Sequence, residues 1–364
     1  MTPMTYGREA PDPVRAQVAK WLLACCALVF ALVVLGGVTR LTHSGLSIVE
    51  WQPLVGTVPP LTEADWTELF QKYQQTPEYQ KVNAGMNLEE FKDIFWLEYF
   101  HRLLGRLIGI AFFVPLVYFL VRRKIDAALG LKLAGIFALG ALQGVMGWYM
   151  VASGLVDDPR VSQYRLTAHL VLAFVIYGAM LWTALDLMSP QPLARDNHAL
   201  PRLRRWTWGV TLLVSLLVIS GGFVAGIRAG SAYNTFPLMN GQLVPPELLM
   251  LDPWYENFFN NMATVQFNHR LIAWLLVLFV PWTWLRAQAI ELPRPIRALF
   301  HLLLVVLAIQ VALGIGTLLL AVPVALATAH QGGALVVFTV AVALNHALRG
   351  AKVRQPASVQ LHAA

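Results

Sequence analysis

The chain reads as an all-α protein that crosses a membrane eight times, built as two repeated four-helix bundles. Three observations predict this. First, 57% of the 364 residues are hydrophobic and only 13% are charged, about half the charged share of a soluble domain. Second, eight separate runs reach about the 20 apolar residues that a spanning helix needs. Third, the chemistry-bearing residues of the first four runs recur in the last four.

The runs cover roughly Val18–Val38, Phe100–Val121, Leu129–Val151, Leu166–Leu187, Trp206–Ile227, Phe267–Leu285, Ala298–Leu320 and Val324–Leu344. An even number puts both termini on one side. The lysines and arginines choose that side: seventeen fall in the tails and the loops that share their face, seven in the opposite loops. Arg102, Arg106 and Arg270 lie in helix starts and complete the 27. The excess marks the termini as cytoplasmic, so the net charge of +7 is a topology signal and not one for nucleic acid. The first run, with Arg15 and Lys20 about its start, is long enough to be an uncleaved first span. Cys25 and Cys26 are neighbours inside it and read as small packing residues.

Expected units are a cytoplasmic tail (1–17), a first bundle (18–190), a linker (191–205), a second bundle (206–348) and a cytoplasmic tail (349–364). Two long loops, about 39–99 and 228–266, face outward. In the first, Thr62 with Glu63, Ala64 and Asp65 reads as a helix start, and Asn87 with Glu90 as another running toward the second span. Trp66, Phe70, Tyr73, Phe91 and Phe95 recur at helical spacing there, as packing or membrane-surface residues.

The repeat is specific. The first span ends in Gly36-Gly37-Val38, the fifth in Gly221-Gly222-Phe223. The outer loops carry Val58–Pro60 and Val244–Pro246. The second span opens with Phe100-His101-Arg102-Leu103, the sixth with Asn268-His269-Arg270-Leu271. The third carries Gln143 and Gly147, the seventh Gln310 and Gly314. The fourth has Thr167-Ala168-His169, the eighth Thr328-Ala329-His330. Four helices separate the copies, so both have the same orientation in the membrane.

Nine histidines divide accordingly. His43, His198, His301, His346 and His362 fall in loops, tails or helix ends, where surface roles suffice. His101, His169, His269 and His330 sit near the starts of the even-numbered spans, at similar depth near the outer face. Intramembrane ionisable residues are costly and usually functional. Imidazoles on facing helices can ligate heme iron from both sides. Zinc is disfavoured, with no cysteine ligands and no second histidine one turn from any of the four. The repeat pairs His101 with His169 and His269 with His330. Arg102 and Arg270 suit carboxylates such as heme propionates; snorkelling to the interface is the alternative. Glu98 stands three residues before His101, where the second half has Gln266 before His269. An acid beside one pair and an amide beside the other suggests that the first half handles protons and chemistry and the second stores electrons. The alternative is an acid favoured merely by a helix N-terminus.

The ordered series Gly36-Gly37-Val38-Thr39-Arg40-Leu41-Thr42-His43-Ser44-Gly45-Leu46-Ser47, Glu50-Trp51, Glu98-Tyr99-Phe100-His101-Arg102, Gly147–Val151, Tyr233–Met239 and Val265–Arg270 resembles the heme A synthase family, over about Trp21 to Arg349. The resemblance implies two successive oxidations of a heme O ring methyl, to an alcohol and then to a gem-diol that loses water to give the formyl of heme A, with water as the oxygen source. It implies a resident heme b at His269 and His330, the substrate heme at His101 and His169, and a catalytic role for Glu98 as proton acceptor or cation stabiliser. Heme O synthase is the implied neighbour, in the cell inner membrane, with the heme sites near the periplasmic face. Some family members carry a cysteine pair in outer loops of the first half. This chain has none there and resembles the proteobacterial and mitochondrial branch. Two other functions fit eight such helices: a diheme cytochrome b-type electron carrier, and a transporter of repeated bundles, which would bind substrate near the bilayer midplane.

Overall fold

The computed structural model describes residues 12–51, 55–156, 159–188 and 200–349. Arg8, Arg195, Lys352, Arg354, His198 and His362, with most of the tails and of the linker, lie outside the described residues. Among the described residues eight helices are long and apolar enough to cross a membrane, and no strand occurs. The chain is therefore an all-helical, multi-pass membrane protein.

The spanning helices are α1 (Pro13–Leu41), α4 (Leu88–Val121), α5 (Ala127–Ala152), α6 (Gln163–Met188), α7 (Leu200–Gly226), α9 (Met262–Gln288), α10 (Arg294–Leu319) and α11 (Val324–Ala347). Shorter helices lie in the outer loops: α2 (Glu63–Gln74), α3 (Pro77–Lys81) and α8 (Asn257–Asn260). Local chemistry fixes several starts. Asp12 accepts from the Val14 amide ahead of α1, with Pro13 as first helical residue. Asp126 accepts from the Leu129 amide ahead of α5. Reciprocal capping boxes, Thr62 with Asp65 and Asn87 with Glu90, open α2 and α4; each satisfies two of the four orphan donors of a helix start.

The second span is where the fold departs most from the periodicity of the sequence. The helix that carries it begins at Leu88 and not near Phe100. Its 34 residues rise about 51 Å, well beyond an apolar membrane core of about 30 Å. Its first three turns therefore stand in the outer loop. There Phe91, Phe95 and Tyr99 pack with Trp66 of α2 and Tyr73 into a buried aromatic cluster. His101 is accordingly in mid-helix, whereas His169, His269 and His330 lie within the first turns of α6, α9 and α11.

Contacts run α1–α4–α5–α6 and back to α1, and α7–α9–α10–α11 and back to α7. Each group of four spanning helices thus closes a cycle of neighbours. One apolar core contains Leu22, Leu133 and Met180 of the first cycle. The other contains Leu203, Ile296, Phe300 and Leu303 of the second. The cycles meet where α6 packs on α7 and α11, and α1 on α11. Apolar side chains such as Leu107, Ile110, Leu131 and Leu278 are exposed on the outside, as lipid requires. Cys25 and Cys26 are free and buried.

Candidate functional site

Within each cycle the two singled-out histidines approach one another. His101 on α4 lies within electrostatic reach of His169 on α6, and His269 on α9 within reach of His330 on α11. All four rings are partly buried. Each rests against a glycine of the preceding spanning helix. A Cβ on Gly36 would stand 3.0 Å from His101 Nε2, and one on Gly147 would stand 3.1 Å from His169 Cε1. The second half repeats this with Gly221 at 3.3 Å from His269 Cε1 and Gly314 at 2.7 Å from His330 Cε1. The neighbouring glycines do a different job. Gly37 backs onto Gln331 of α11 and Gly222 onto Thr167 of α6, so each Gly-Gly pair faces its own histidine with one residue and the other half with the next.

The glutamines of the repeat hold the backbone beside the rings. Gln143 Nε2 donates to the carbonyl of His169 at 3.0 Å, and Gln310 Nε2 to that of His330 at 2.9 Å. Both amide oxygens are buried without a partner.

The two pairs differ in how the rings are tied. Ser220 Oγ meets His269 Nδ1 at 2.8 Å. The Gln310 carbonyl meets His330 Nδ1 at 3.2 Å. With Nδ1 as donor to these oxygens, both Nε2 atoms present lone pairs. In the first half His169 Nδ1 is buried without a partner, while its Nε2 faces Gln143 Nε2 at 3.3 Å. No hydrogen bond reaches the His101 ring from any described residue. That ring presents its Nε2–Cδ2 edge to Gly36, whereas the other three present Cε1. Residue 35, at the place of Ser220, is a leucine. Ser220 leaves no mark in the sequence beyond its place immediately before Gly221.

The acid and the arginines also have definite partners. Glu98 is buried. Its Oε1 accepts from Arg102 Nε at 3.0 Å and Nη2 at 2.6 Å; its Oε2 accepts from Ser47 Oγ at 2.7 Å and the Ile48 amide at 2.8 Å. Arg102 also donates to the carbonyls of Ile48 and Glu50. These contacts occupy Nε, both hydrogens of Nη2 and one of Nη1, so a second hydrogen on Nη1 is left for a ligand carboxylate. In the second half Gln266 stands in for Glu98: its Oε1 accepts from Arg270 Nη2 at 3.0 Å and its Nε2 donates to the Ala229 carbonyl at 2.8 Å. Arg270 reaches the carbonyls of Tyr233, Pro237 and Leu238, and its Nε is buried without a partner. Both arginines therefore fasten an outer loop to the top of a spanning helix, at equivalent positions.

One further acid was not visible in the sequence. Glu78 of α3 is buried, with Oε2 unpartnered. Burial pushes its carboxyl up to about 8; the charge of Glu98 adds to this and Arg228 opposes it. The two outer loops also touch, Arg228 Nη2 lying 3.2 Å from His43 Nδ1. Burial lowers the His43 pKa, and Arg228 and Arg40 lower it further.

Among the described residues no three His, Cys, Asp or Glu side chains gather as a ligand set for a bare metal ion. Two imidazoles per half offer the number of ligands that a metal held in a porphyrin leaves open. The pairs of tied Nδ1 atoms in the second half suit that role.

Comparison with known proteins adds a second line. A family model described as cytochrome oxidase assembly protein (COX15-CtaA) matches residues 19–342. The heme A synthase of Nitrosospira multiformis is 65% identical over 92% of this chain and 94% of its own length. That of Nitrosomonas eutropha is 62% identical over 89% and 91%. The heme A synthase COX15 of Arabidopsis thaliana is 46% identical over 91% of this chain and 74% of its own length.

Proposed function

The chain belongs to the COX15-CtaA family of cytochrome oxidase assembly proteins, and on that premise we propose that it converts heme O to heme A, with the substrate in the first half and a resident heme b in the second. The names of its relatives support the reaction. The contrast between the imidazole pairs carries the division of labour. His269 and His330 have each Nδ1 met by an oxygen, which fixes ring orientation and raises ligand basicity; that suits a heme that stays. His101 and His169 lack such ties, which suits a heme that must leave as product. We read the two helix cycles as copies of one repeat, each enclosing one site.

Heme b at His269 and His330 would supply one-electron acceptance and pass the electrons on to an external acceptor, four in all, as water provides the oxygen for two successive two-electron oxidations of the substrate methyl. Glu98 is the group we assign to the chemistry. Its carboxyl is fixed by Arg102, Ser47 and Ile48, on the helix that carries His101 and three residues before it. There it accepts a proton released in the oxidation or stabilises positive charge on the reacting carbon. Arg270 has one buried donor to spare, Nε, and this donor is assigned to a propionate of the resident heme. Arg102 is assigned to Glu98 and the loop first, and to a substrate propionate through the second hydrogen of Nη1, which these contacts leave over. We assign the termini to the cytoplasm and the histidines to the periplasmic side of the inner membrane, a reading supported by the excess of lysine and arginine in the tails and the loops on their side. An apolar substrate of this kind is best received within the bilayer from the enzyme that makes heme O.

The experiment is extraction of pigment from the purified protein. Heme b together with heme O or heme A is the expected result. Two equivalents of heme b and nothing else would instead make the chain an electron carrier.

A further inference from the structure

We infer that Gly36, Gly147, Gly221 and Gly314 are positioning residues: they are the seats that set the planes of the four imidazoles. This rests on the heme reading above and extends it to residues that touch no ligand.

Glycine is a poor helix residue, and its use is explained where a close neighbour leaves no room for a Cβ. Most helix glycines here do not meet a histidine. On α5, Gly135, Gly140 and Gly144 would each meet nothing within 4 Å if given a Cβ, and only Gly147 meets His169. On α10, Gly316 has only Leu326 Cδ1 at 3.8 Å, while Gly314 has His330 Cε1 at 2.7 Å, Nδ1 at 3.3 Å and Nε2 at 3.4 Å. The same selection occurs on α1 and α7, where Gly36 and Gly221 meet His101 and His269. Four independent helices thus place a residue without a side chain under an imidazole. Absence of a Cβ lets the ring lie on the neighbouring backbone. That wall restrains the last torsion of the histidine, adding to the hydrogen bond at Nδ1 where the second half has one. The spacing of the seats is graded: a methyl has least room at Gly314 and most at Gly221.

The test uses the full chain purified with its heme. The readouts are the electron paramagnetic resonance of the ferric low-spin heme, which depends on the angle between the axial imidazole planes, and the heme content. Gly314→Ala is expected to displace or abolish the low-spin signal. Gly221→Ala is expected to displace it less, and Gly316→Ala to leave it unchanged at full heme content. In protein loaded with heme O, Gly147→Ala should move the second signal and Gly144→Ala should not. If Gly314→Ala does not accumulate, Gly221→Ala decides. Signals in Gly314→Ala and Gly221→Ala superimposable on the parent overturn the inference, as does an equal displacement by Gly316→Ala. A parent protein without any low-spin heme signal overturns the underlying heme reading, a result that needs no variant and is separate from the glycine result.

Discussion

In the second half Ser220 holds the His269 ring at 2.8 Å; at the same place in the first half stands Leu35, and the His101 ring has no hydrogen bond from any described residue. Around this difference the halves match closely: glycine under each imidazole, glutamine on the carbonyl of the second histidine, arginine reaching from the spanning helix into the outer loop. On the proposed reading, a duplicated frame is given two occupancies by changing what touches the ring nitrogens and the residue three before the first histidine. Gln266 completes one arginine clamp as a neutral amide. Glu98 completes the other as an acid.

The comparison can be broken most severely at that acid. Glu98→Gln should lower heme A formation by about 10²–10⁴-fold, the range for a lost acid–base group, while resident heme b stays at parental content. Heme A output measured in cells at the parental level would remove Glu98 from the chemistry. Next in size is Ser220→Ala, which frees the His269 ring; heme b affinity should fall by about 10–100-fold, as when a partner behind a metal ligand is removed, read as heme lost on dilution. The converse change, Leu35→Ser, offers a hydroxyl where the first half lacks one. His101 turns its Nε2–Cδ2 edge toward this helix, so its ring must flip to bring Nδ1 to the new hydroxyl; retention of the substrate-side heme should then tighten by about tenfold, read as heme kept on dilution.

The smallest expected effect concerns the outer loops. Glu78 lies buried beneath the first, with its carboxyl pushed up to about 8 from an ordinary 4.5, first by burial and then by Glu98. The folded protein therefore keeps this proton where the unfolded chain releases it. Its contribution to stability is full below about pH 4.5, declines as pH rises through the window, and is gone above about pH 8. Glu78→Gln should flatten this part of the profile and raise the melting temperature near pH 8 by about 2–4 °C. Thermal unfolding at pH 5 and pH 8 checks it; equal slopes in parent and variant would contradict the assignment.

The eight spans, the two capping boxes and the four histidines were legible because each leaves a periodic or repeated mark in the sequence. The start of α4 at Leu88 was only half legible. Asn87 and Glu90 announced a helix, but nothing in the apolar count says that it runs without a break into the second span. The partners of Glu98 come from Ser47 and Ile48, in a loop with no periodicity to place it over the helix. That also hid why Arg102 points inward. Glu78 reads as a surface acid in a polar stretch; its burial depends on α2 and α3 folding over the aromatic cluster. Ser220 was hidden because a serine in an apolar helix is ordinary until its neighbour is known.

The central claim, that the second imidazole pair holds heme permanently and the first holds it in passing, is tested most directly by heme content of four purified variants. His269→Ala and His330→Ala should lose the low-spin heme b spectrum, and His101→Ala and His169→Ala should keep it while blocking heme A formation. Loss of that spectrum only in the His101 and His169 variants would contradict the account and reverse the roles of the two halves.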